Sequence, residues 1–171
     1  MPALDGSLFG PGQPCFGCSP DHPSGFRLSF IEEADAPAAT TGEDAIPAPT
    51  LLTRFTPRES DQGPPGVMHG GLVLTLADEL AAWALIVRLG KFGFTARVAA
   101  NLVRPTRVGV EIEGRARISR STGRTAEVQV RLTQAGIETF RGGLTFVLLD
   151  RAAAEKMLGR PLPEEWARYS R

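Results

Sequence analysis

Residues 66–89 read GVMHGGLVLTLADELAAWALIVRL and contain the one long apolar stretch of the chain. From residue 72 to residue 89 nearly every position is apolar, which predicts a helix that is buried on most of its sides. Asp78 and Glu79 interrupt this helix on its second turn. Because such a helix offers little solvent-facing surface, we interpret the two carboxylates as functional. The alternative is a plain core helix whose acids reach solvent.

His69-Gly70-Gly71 immediately precedes the predicted helix. The first backbone N–H groups of a helix lack partners and carry about half a positive charge, so glycines at this end expose donors to an anion. We therefore predict that the Gly70 amide stabilises a developing negative charge. His69 either contacts the ligand or holds the loop by hydrogen bonding to backbone, and we prefer the second interpretation.

The spacing of these groups predicts how the protein assembles. Asp78 lies eight residues beyond Gly70, and a rise of about 1.5 Å per residue separates them by roughly 12 Å. One chain cannot bring both groups to the same reacting atom. If they serve one site, two copies must pack with their helices antiparallel across a two-fold axis. The sequence therefore predicts a homodimer with composite sites.

Four segments after the helix alternate apolar and polar residues, which predicts strands with one buried face. Their apolar positions are Ala96, Val98, Ala100 and Leu102; Val110, Ile112, Gly114, Ala116 and Ile118; Ala126, Val128, Val130 and Leu132; and Phe140, Leu144, Phe146 and Leu148. In the first segment, Thr95, Arg97 and Asn101 take the opposite face. Short turns between the segments indicate an antiparallel meander.

The remaining chain predicts shorter elements. We expect strands at 26–31 and 51–56, a flexible surface loop at 34–50, a tail helix at 151–158 and a further piece at 164–169. A sheet with one apolar face needs a cover, and the only long apolar element is the helix. The fold class is therefore predicted to be α+β, with about six antiparallel strands wrapped around one long central helix.

Length and charge restrict the class of protein. At 171 residues the chain is predicted to form a single domain over 1–171, with its core at about 15–150. It has 19 basic and 19 acidic residues, so we expect neither nucleic acid nor a membrane as a partner. The first ten residues lack a basic region followed by an apolar stretch, and two carboxylates make the long helix costly in lipid. We expect a cytoplasmic protein.

Cys15 and Cys18 are the only cysteines. This pair supplies two of the four ligands that a zinc site usually has, and sequence spacing alone would allow His22 as a third. No second pair follows, and no βαβ pattern around the cysteines indicates thioredoxin-like redox chemistry. We therefore expect no metal, and two reduced cysteines packed in a turn.

The order of elements, together with GVMHGG at 66–71 and LADE at 76–79, resembles the hotdog-fold thioesterases. It is most similar to the phenylacetyl-CoA and 4-hydroxybenzoyl-CoA thioesterase branch. The leader CFGC at 15–18, followed by Pro20, Pro23, Gly25 and Phe26, also resembles one found in some members. The resemblance covers about 15–150. It implies a hotdog fold and hydrolysis of an acyl- or aryl-CoA thioester, with coenzyme A as part of the substrate and no cofactor.

Matching positions imply roles for four residues. Asp78 corresponds to the catalytic carboxylate, acting as a general base on water or as a nucleophile, and the Gly70 amide to the group that polarises the thioester carbonyl. Thr95 corresponds to a residue that helps to position water, although an ordinary strand residue explains it equally well. Glu79 projects about 100° around the helix from Asp78 and is the reserve acid.

Relatives bind coenzyme A along the strand after the helix and along the next hairpin. The candidate substrate contacts here are Gly71, Glu79, Arg104, Pro105, Arg107, Arg120, Ser121, Gly123 and Arg124. Arginine forks and the Gly123 amide suit phosphate. Each single arginine is explained equally well as a solvated turn residue.

One position departs from the family pattern. Several relatives carry a polar side chain six residues before the histidine, where this chain has Gly63. Gln62 or Asp61 would substitute if the loop register differs. The alternative function is a non-catalytic acyl-CoA binder or sensor on the same fold, against which Asp78 argues. The sequence leaves open the acyl group and whether dimers pair further into a tetramer.

Overall fold

A computed structural model of the chain describes residues 4–10, 12, 14–33 and 50–162. Most of the predicted loop, residues 34–49, and the tail piece predicted at 164–169 lie outside these ranges. The strands are β1 Phe30–Glu33, β2 Thr50–Phe55, β3 Phe92–Leu102, β4 Ile112–Ser121, β5 Thr125–Gln134 and β6 Ile137–Leu149. The helices are α1 Gly70–Leu89 and α2 Arg151–Leu158, with short 3-10 helices at Gly6–Phe9 and Glu59–Asp61.

All six strands form one antiparallel sheet in the order β1-β2-β4-β5-β6-β3. Among the described residues, β3 therefore lies at an edge and pairs only with β6, although two strands intervene in the sequence. Helix α1 packs against β2 to β6, so the sheet curves around it. This is the predicted architecture, and β3 and α1 are the two elements that position the candidate site.

Capping residues define both ends of helix α1. His69 is its N-cap, and Gly90, in the left-handed conformation at φ 64°, donates its N–H to the Ile86 carbonyl at 3.0 Å. The middle of the helix is buried on nearly all sides, and Trp83 stacks against Phe30 with ring centroids 4.9 Å apart. The sequence prediction of a helix buried on most of its sides is confirmed.

The alternation predicted for the later strands is largely confirmed. On β5 the four predicted apolar residues are buried, as are Phe140, Leu144 and Phe146 on β6. Val110 was wrongly predicted to begin β4. It is 40% exposed in the turn that precedes this strand, where Gly109 has φ 77°.

The first predicted strand is shorter than expected because its beginning pairs with the leader. Phe26 donates its N–H to the Phe16 carbonyl and Leu28 to that of Gly17, both at 2.8 Å. Between them Arg27 has φ 57°, which interrupts extended backbone. Only from Phe30 does the chain join the sheet. Within the described ranges, no helix combines the length and apolarity needed to cross a membrane.

Candidate active site

The N-terminus of α1 presents one amide that has no partner among the described residues. The His69 side chain caps the helix, because its Nδ1 accepts the Gly71 N–H at 3.0 Å, while the His69 N–H donates to the Asp61 carbonyl at 2.9 Å. The Gly70 N–H makes no hydrogen bond with any described residue. A Cβ at Gly70 would lie 3.1 Å from Leu102 Cδ2, so this amide lies beside the end of β3. The geometry matches the loop-holding interpretation of His69.

Asp78 lies on the side of α1 that faces β3. The Thr95 hydroxyl donates a hydrogen bond to Asp78 Oδ1 at 2.5 Å. Burial raises the pKa of Asp78, and the hydrogen bond from Thr95 partly opposes this by lowering it. A carboxylate whose pKa is raised toward neutrality is a better proton acceptor at physiological pH.

A β-bulge brings Thr95 to Asp78 and corrects the predicted faces of β3. Thr95 pairs with Phe146 and Val98 with Leu144, and the register shifts between Thr95 and Arg97. Residues directly opposite each other in an antiparallel pair share a face, so Thr95 and Val98 both face inward with the buried residues of β6. The sequence predicted opposite faces for them because strict alternation cannot anticipate an extra residue. Ala96, predicted to face inward, is the extra residue and is exposed.

One chain does not bring Gly70 and Asp78 together. They lie on the same helix with the axial separation of roughly 12 Å that its rise imposes. Beyond Asp78 the inner face of β3 is open: Val98 is 45% exposed and Leu102 is 53% exposed. A single chain thus presents an apolar, uncovered surface between its carboxylate and its unpaired amide.

Glu79 faces away from Asp78, toward the N-terminal leader. Its Oε1 accepts a hydrogen bond from Trp83 Nε1 at 3.1 Å and another from the Cys15 thiol at 3.3 Å. The Cys18 thiol donates to Cys15 Sγ at 2.7 Å, which lowers the pKa of Cys15 and raises that of Cys18. The structure therefore does not place this reserve acid with the Asp78 site.

The two polar side chains that could replace the missing one both form hydrogen bonds within the loop. Asp61 is buried and its carboxylate accepts three hydrogen bonds from Arg58. Gln62 Oε1 accepts the Gly66 N–H at 3.1 Å. A Cβ at Gly63 would lie 3.2 Å from His69 Cδ2, so a side chain here would crowd the capping imidazole.

Seven of the predicted coenzyme A contacts form two exposed groups at opposite ends of the sheet, whereas Gly71 and Glu79 lie on α1. The group at 104–107 follows Leu102, which pairs with Phe140, whereas the hairpin at 120–124 precedes Thr125, which pairs with Val147. Seven residues of β5 separate these positions, roughly 23 Å at about 3.3 Å per residue. Arg104 donates to the Glu138 carbonyl at 3.0 Å, and the Arg107 backbone is held by Gln134. One protomer does not join the two groups.

The antiparallel sheet wraps around one long helix, and this arrangement defines a hotdog-fold protein. The same helix carries the Asp78 carboxylate and the Gly70 amide. Residues 65–141, which carry α1 and most of the strands after it, match the model of the thioesterase superfamily. This stretch is therefore similar to that superfamily, in agreement with the resemblance seen in the sequence.

Solved structures share this fold. A hypothetical thioesterase protein with coenzyme A from Streptococcus pneumoniae TIGR4 is 16% identical, with a TM-score of 0.56 over 70% of this chain and 87% of that one. A Streptococcus mutans UA159 protein bound to acetyl CoA is 18% identical, with a TM-score of 0.56 over 58% and 81%. A phenylacetic acid degradation-related protein from Ralstonia eutropha JMP134 is 23% identical, with a TM-score of 0.54 over 57% and 75%. No curated protein sequence matches the chain.

Proposed function

We propose that the protein hydrolyses an acyl- or aryl-CoA thioester to the free acid and coenzyme A. The observation that carries this proposal is the half-buried Asp78 carboxylate, whose pKa burial raises and whose Oδ1 is held by Thr95 on an open inner face. A non-catalytic binder would have no use for such a carboxylate, because an ionised group partly removed from water costs stability.

The proposed reaction uses the Asp78 carboxylate of one protomer and the Gly70 amide of the other. Asp78 takes a proton from water as the water oxygen attacks the thioester carbonyl, or attacks the carbonyl carbon itself. The carbonyl oxygen gains negative charge, which a preorganised amide stabilises. The Gly70 amide supplies this donor because no described residue occupies it. In the general-base route, collapse of the intermediate breaks the carbon–sulfur bond, and protonated Asp78 returns its proton to the leaving thiolate. In the nucleophilic route, the same cleavage leaves an acyl–Asp78 anhydride and a thiolate that takes a proton from water, and a water molecule then hydrolyses the anhydride to the free acid.

A homodimer supplies what one chain lacks. If two α1 helices pack antiparallel, Gly70 of one protomer approaches Asp78 of the partner subunit. The same arrangement would place residues 104–107 of one protomer beside the hairpin at 120–124 of the other. The two groups of arginines would then line one binding site. Support comes from β3, an edge strand whose Val98 and Leu102 side chains are uncovered. Dimers of dimers are compatible with this arrangement.

The ligands and names of three structural neighbours support the substrate class that we propose. Two of them hold coenzyme A or acetyl CoA, and a third is related to phenylacetic acid degradation. Among the candidate substrates, we therefore rank aryl-CoA thioesters first and short acyl-CoA thioesters second. Arg104, Arg107, Arg120 and Arg124 are proposed to bind the nucleotide phosphates, with Pro105, Ser121, Gly123 and Gly71 lining the path to the carbonyl.

The direct experiment measures thiol release from a panel of short, medium, long and aryl acyl-CoA substrates. Asp78→Asn keeps the shape of the side chain and loses the basic oxygen, so kcat should fall by about 100-fold or more. Because the pKa of Asp78 is raised, the ionised carboxylate lowers stability at neutral pH, and the variant should unfold at the parent temperature or higher.

Glu127→Gln, an exposed carboxylate on β5, is the matched control and should keep parent kcat. We also expect Glu79→Gln to be much milder than Asp78→Asn, since Glu79 faces the leader. Parent-like hydrolysis by a folded Asp78→Asn variant would contradict the assignment.

A further inference from the structure

Three metal-ligating atoms converge at a point that the thioesterase reaction does not use. Cys15 Sγ, Cys18 Sγ and a Glu79 carboxylate oxygen all lie within 4.8 Å of one another. The two cysteines come from the leader, and Glu79 comes from the middle of α1, 64 residues beyond Cys15. His22, the third ligand suggested by spacing, is elsewhere: its Nδ1 accepts the Ser24 N–H at 3.3 Å, and its ring packs edge-on against Phe16.

The local backbone is shaped to let the carboxylate approach. A Cβ at Gly17 would lie 2.5 Å from Glu79 Cδ and 2.6 Å from Oε2, so only glycine leaves room for Glu79 between the two cysteines. The Cys18 N–H donates to Cys15 Sγ at 3.2 Å. Such an N–H···S bond from the second cysteine of a CxxC turn stabilises the first as a thiolate, the form in which cysteine binds metal.

A bound cation would pair the negative charge that the cluster gains when its two thiols lose their protons. Two thiolates and a carboxylate would carry three negative charges, and no salt bridge is formed by Glu79 among the described residues. Trp83 Nε1–H is a neutral donor to this carboxylate. The cluster borders a cavity of about 220 Å³ lined mainly by apolar side chains, and Arg160 is the one basic residue among its described lining. Anionic donors beside an apolar cavity are stable only when paired or metal-bound.

We propose that Cys15, Cys18 and Glu79 bind one divalent ion of the zinc class, with the fourth coordination position open to the cavity. Two sulfurs and one oxygen suit zinc, and three protein ligands leave one site for water or another small ligand. Ligands of a tetrahedral zinc ion lie about 3.5–3.8 Å apart. The Cys15 Sγ to Glu79 Oε1 distance of 3.3 Å is close to this, and the sulfurs, 2.7 Å apart, need to separate by about 1 Å.

A disulfide between the same cysteines is the competing chemistry, and the carboxylate argues against it. Oxidation would remove the Cys15 S–H that Glu79 accepts and would leave this oxygen with Trp83 alone beside the apolar cavity. A metal instead uses all three donors together. It would also tie the leader to α1, because the ligands come from both.

The experiment titrates Co²⁺ into the reduced, full-length protein under anaerobic conditions. We expect one Co²⁺ per chain, with the sulfur-to-metal charge-transfer absorption of two thiolates and the visible bands of a tetrahedral ion, and Zn²⁺ should displace it. Cys15→Ser and Cys18→Ser should each lose much of the charge-transfer band. Glu79→Gln should weaken Co²⁺ binding by at least about tenfold, since even outer-shell changes cost 10- to 100-fold.

Two variants keep the proposal falsifiable if the cysteine variants fold poorly. Gly17→Ala keeps every donor but displaces Glu79, so it should weaken binding while the chain remains folded by circular dichroism. Asp78→Asn is the control, because it changes the neighbouring carboxylate and should bind Co²⁺ as tightly as the parent. The proposal is overturned if the reduced protein binds no Co²⁺, if Gly17→Ala and Glu79→Gln bind it like the parent, or if the isolated protein carries a disulfide that excess zinc does not prevent.

Discussion

The carboxylate of Asp78 is under two opposing influences. Burial raises its pKa, and the hydrogen bond from Thr95 lowers it, with burial the larger. Stability from a raised carboxyl pKa is complete below the unfolded value and is lost as the pH rises through the folded value. At neutral pH the ionised residue therefore lowers the free energy of unfolding. The catalysis that we propose needs this ionised form, so activity and stability would make opposite demands on one side chain.

In the proposed mechanism, Thr95 helps to set the pH at which Asp78 accepts a proton. Thr95→Val removes the hydroxyl but keeps a branched side chain, so the pKa of Asp78 should rise further. The acid limb of the kcat/KM profile should then move to higher pH, measured by thiol release across a pH series. Thr95→Ser keeps the hydroxyl and should leave the limb in place. An unchanged limb in Thr95→Val would show that this hydrogen bond does not act on the titrating group.

At the scale of elements, the first turn of α1 is the proposed oxyanion donor. Gly70→Pro removes the N–H at a helix position where proline is well tolerated. We expect kcat to fall by about 100- to 1000-fold, the range seen when an oxyanion donor is lost. Gly70→Ala places a similar Cβ beside Leu102 but keeps the N–H, so its kcat should fall far less. Equal losses would mean that crowding against Leu102, rather than the amide, controls the rate.

The helices and strands also show which structural features can be predicted from local sequence patterns. Helix α1 and the alternation of β5 could be predicted because each buries one set of residues along a short stretch. The inward face of Thr95 could not, since a bulge at Ala96 adds one residue and reverses the alternation before it. The approach of Glu79 to Cys15 depends on two segments 64 residues apart, and the only local sign of it is Gly17.

At the scale of the whole molecule, mixing two inactive chains tests the composite site. Gly70→Pro and Asp78→Asn chains are unfolded together and refolded in equal amounts. If each site takes Gly70 from one protomer and Asp78 from the other, a mixed dimer has one intact site, and about a quarter of parent activity should return. Each variant refolded alone is the control and should stay inactive. No recovery in a confirmed mixed dimer would place both groups in one chain.

The order of the strands has a consequence for how the chain is made. In the part of the chain that the structure describes, β3 pairs only with β6. Leu102 therefore cannot pair until Phe140 has been synthesised, nor Phe92 until Leu149 has been. A ribosome adds about 5–20 residues each second, so β3 emerges at least about two seconds before its neighbour. During that interval both of its edges are open templates for a foreign strand, and Phe94, Val98 and Leu102 make it apolar. The nascent chain is thus most prone to aggregate between the synthesis of its third and sixth strands, when chaperone protection matters most.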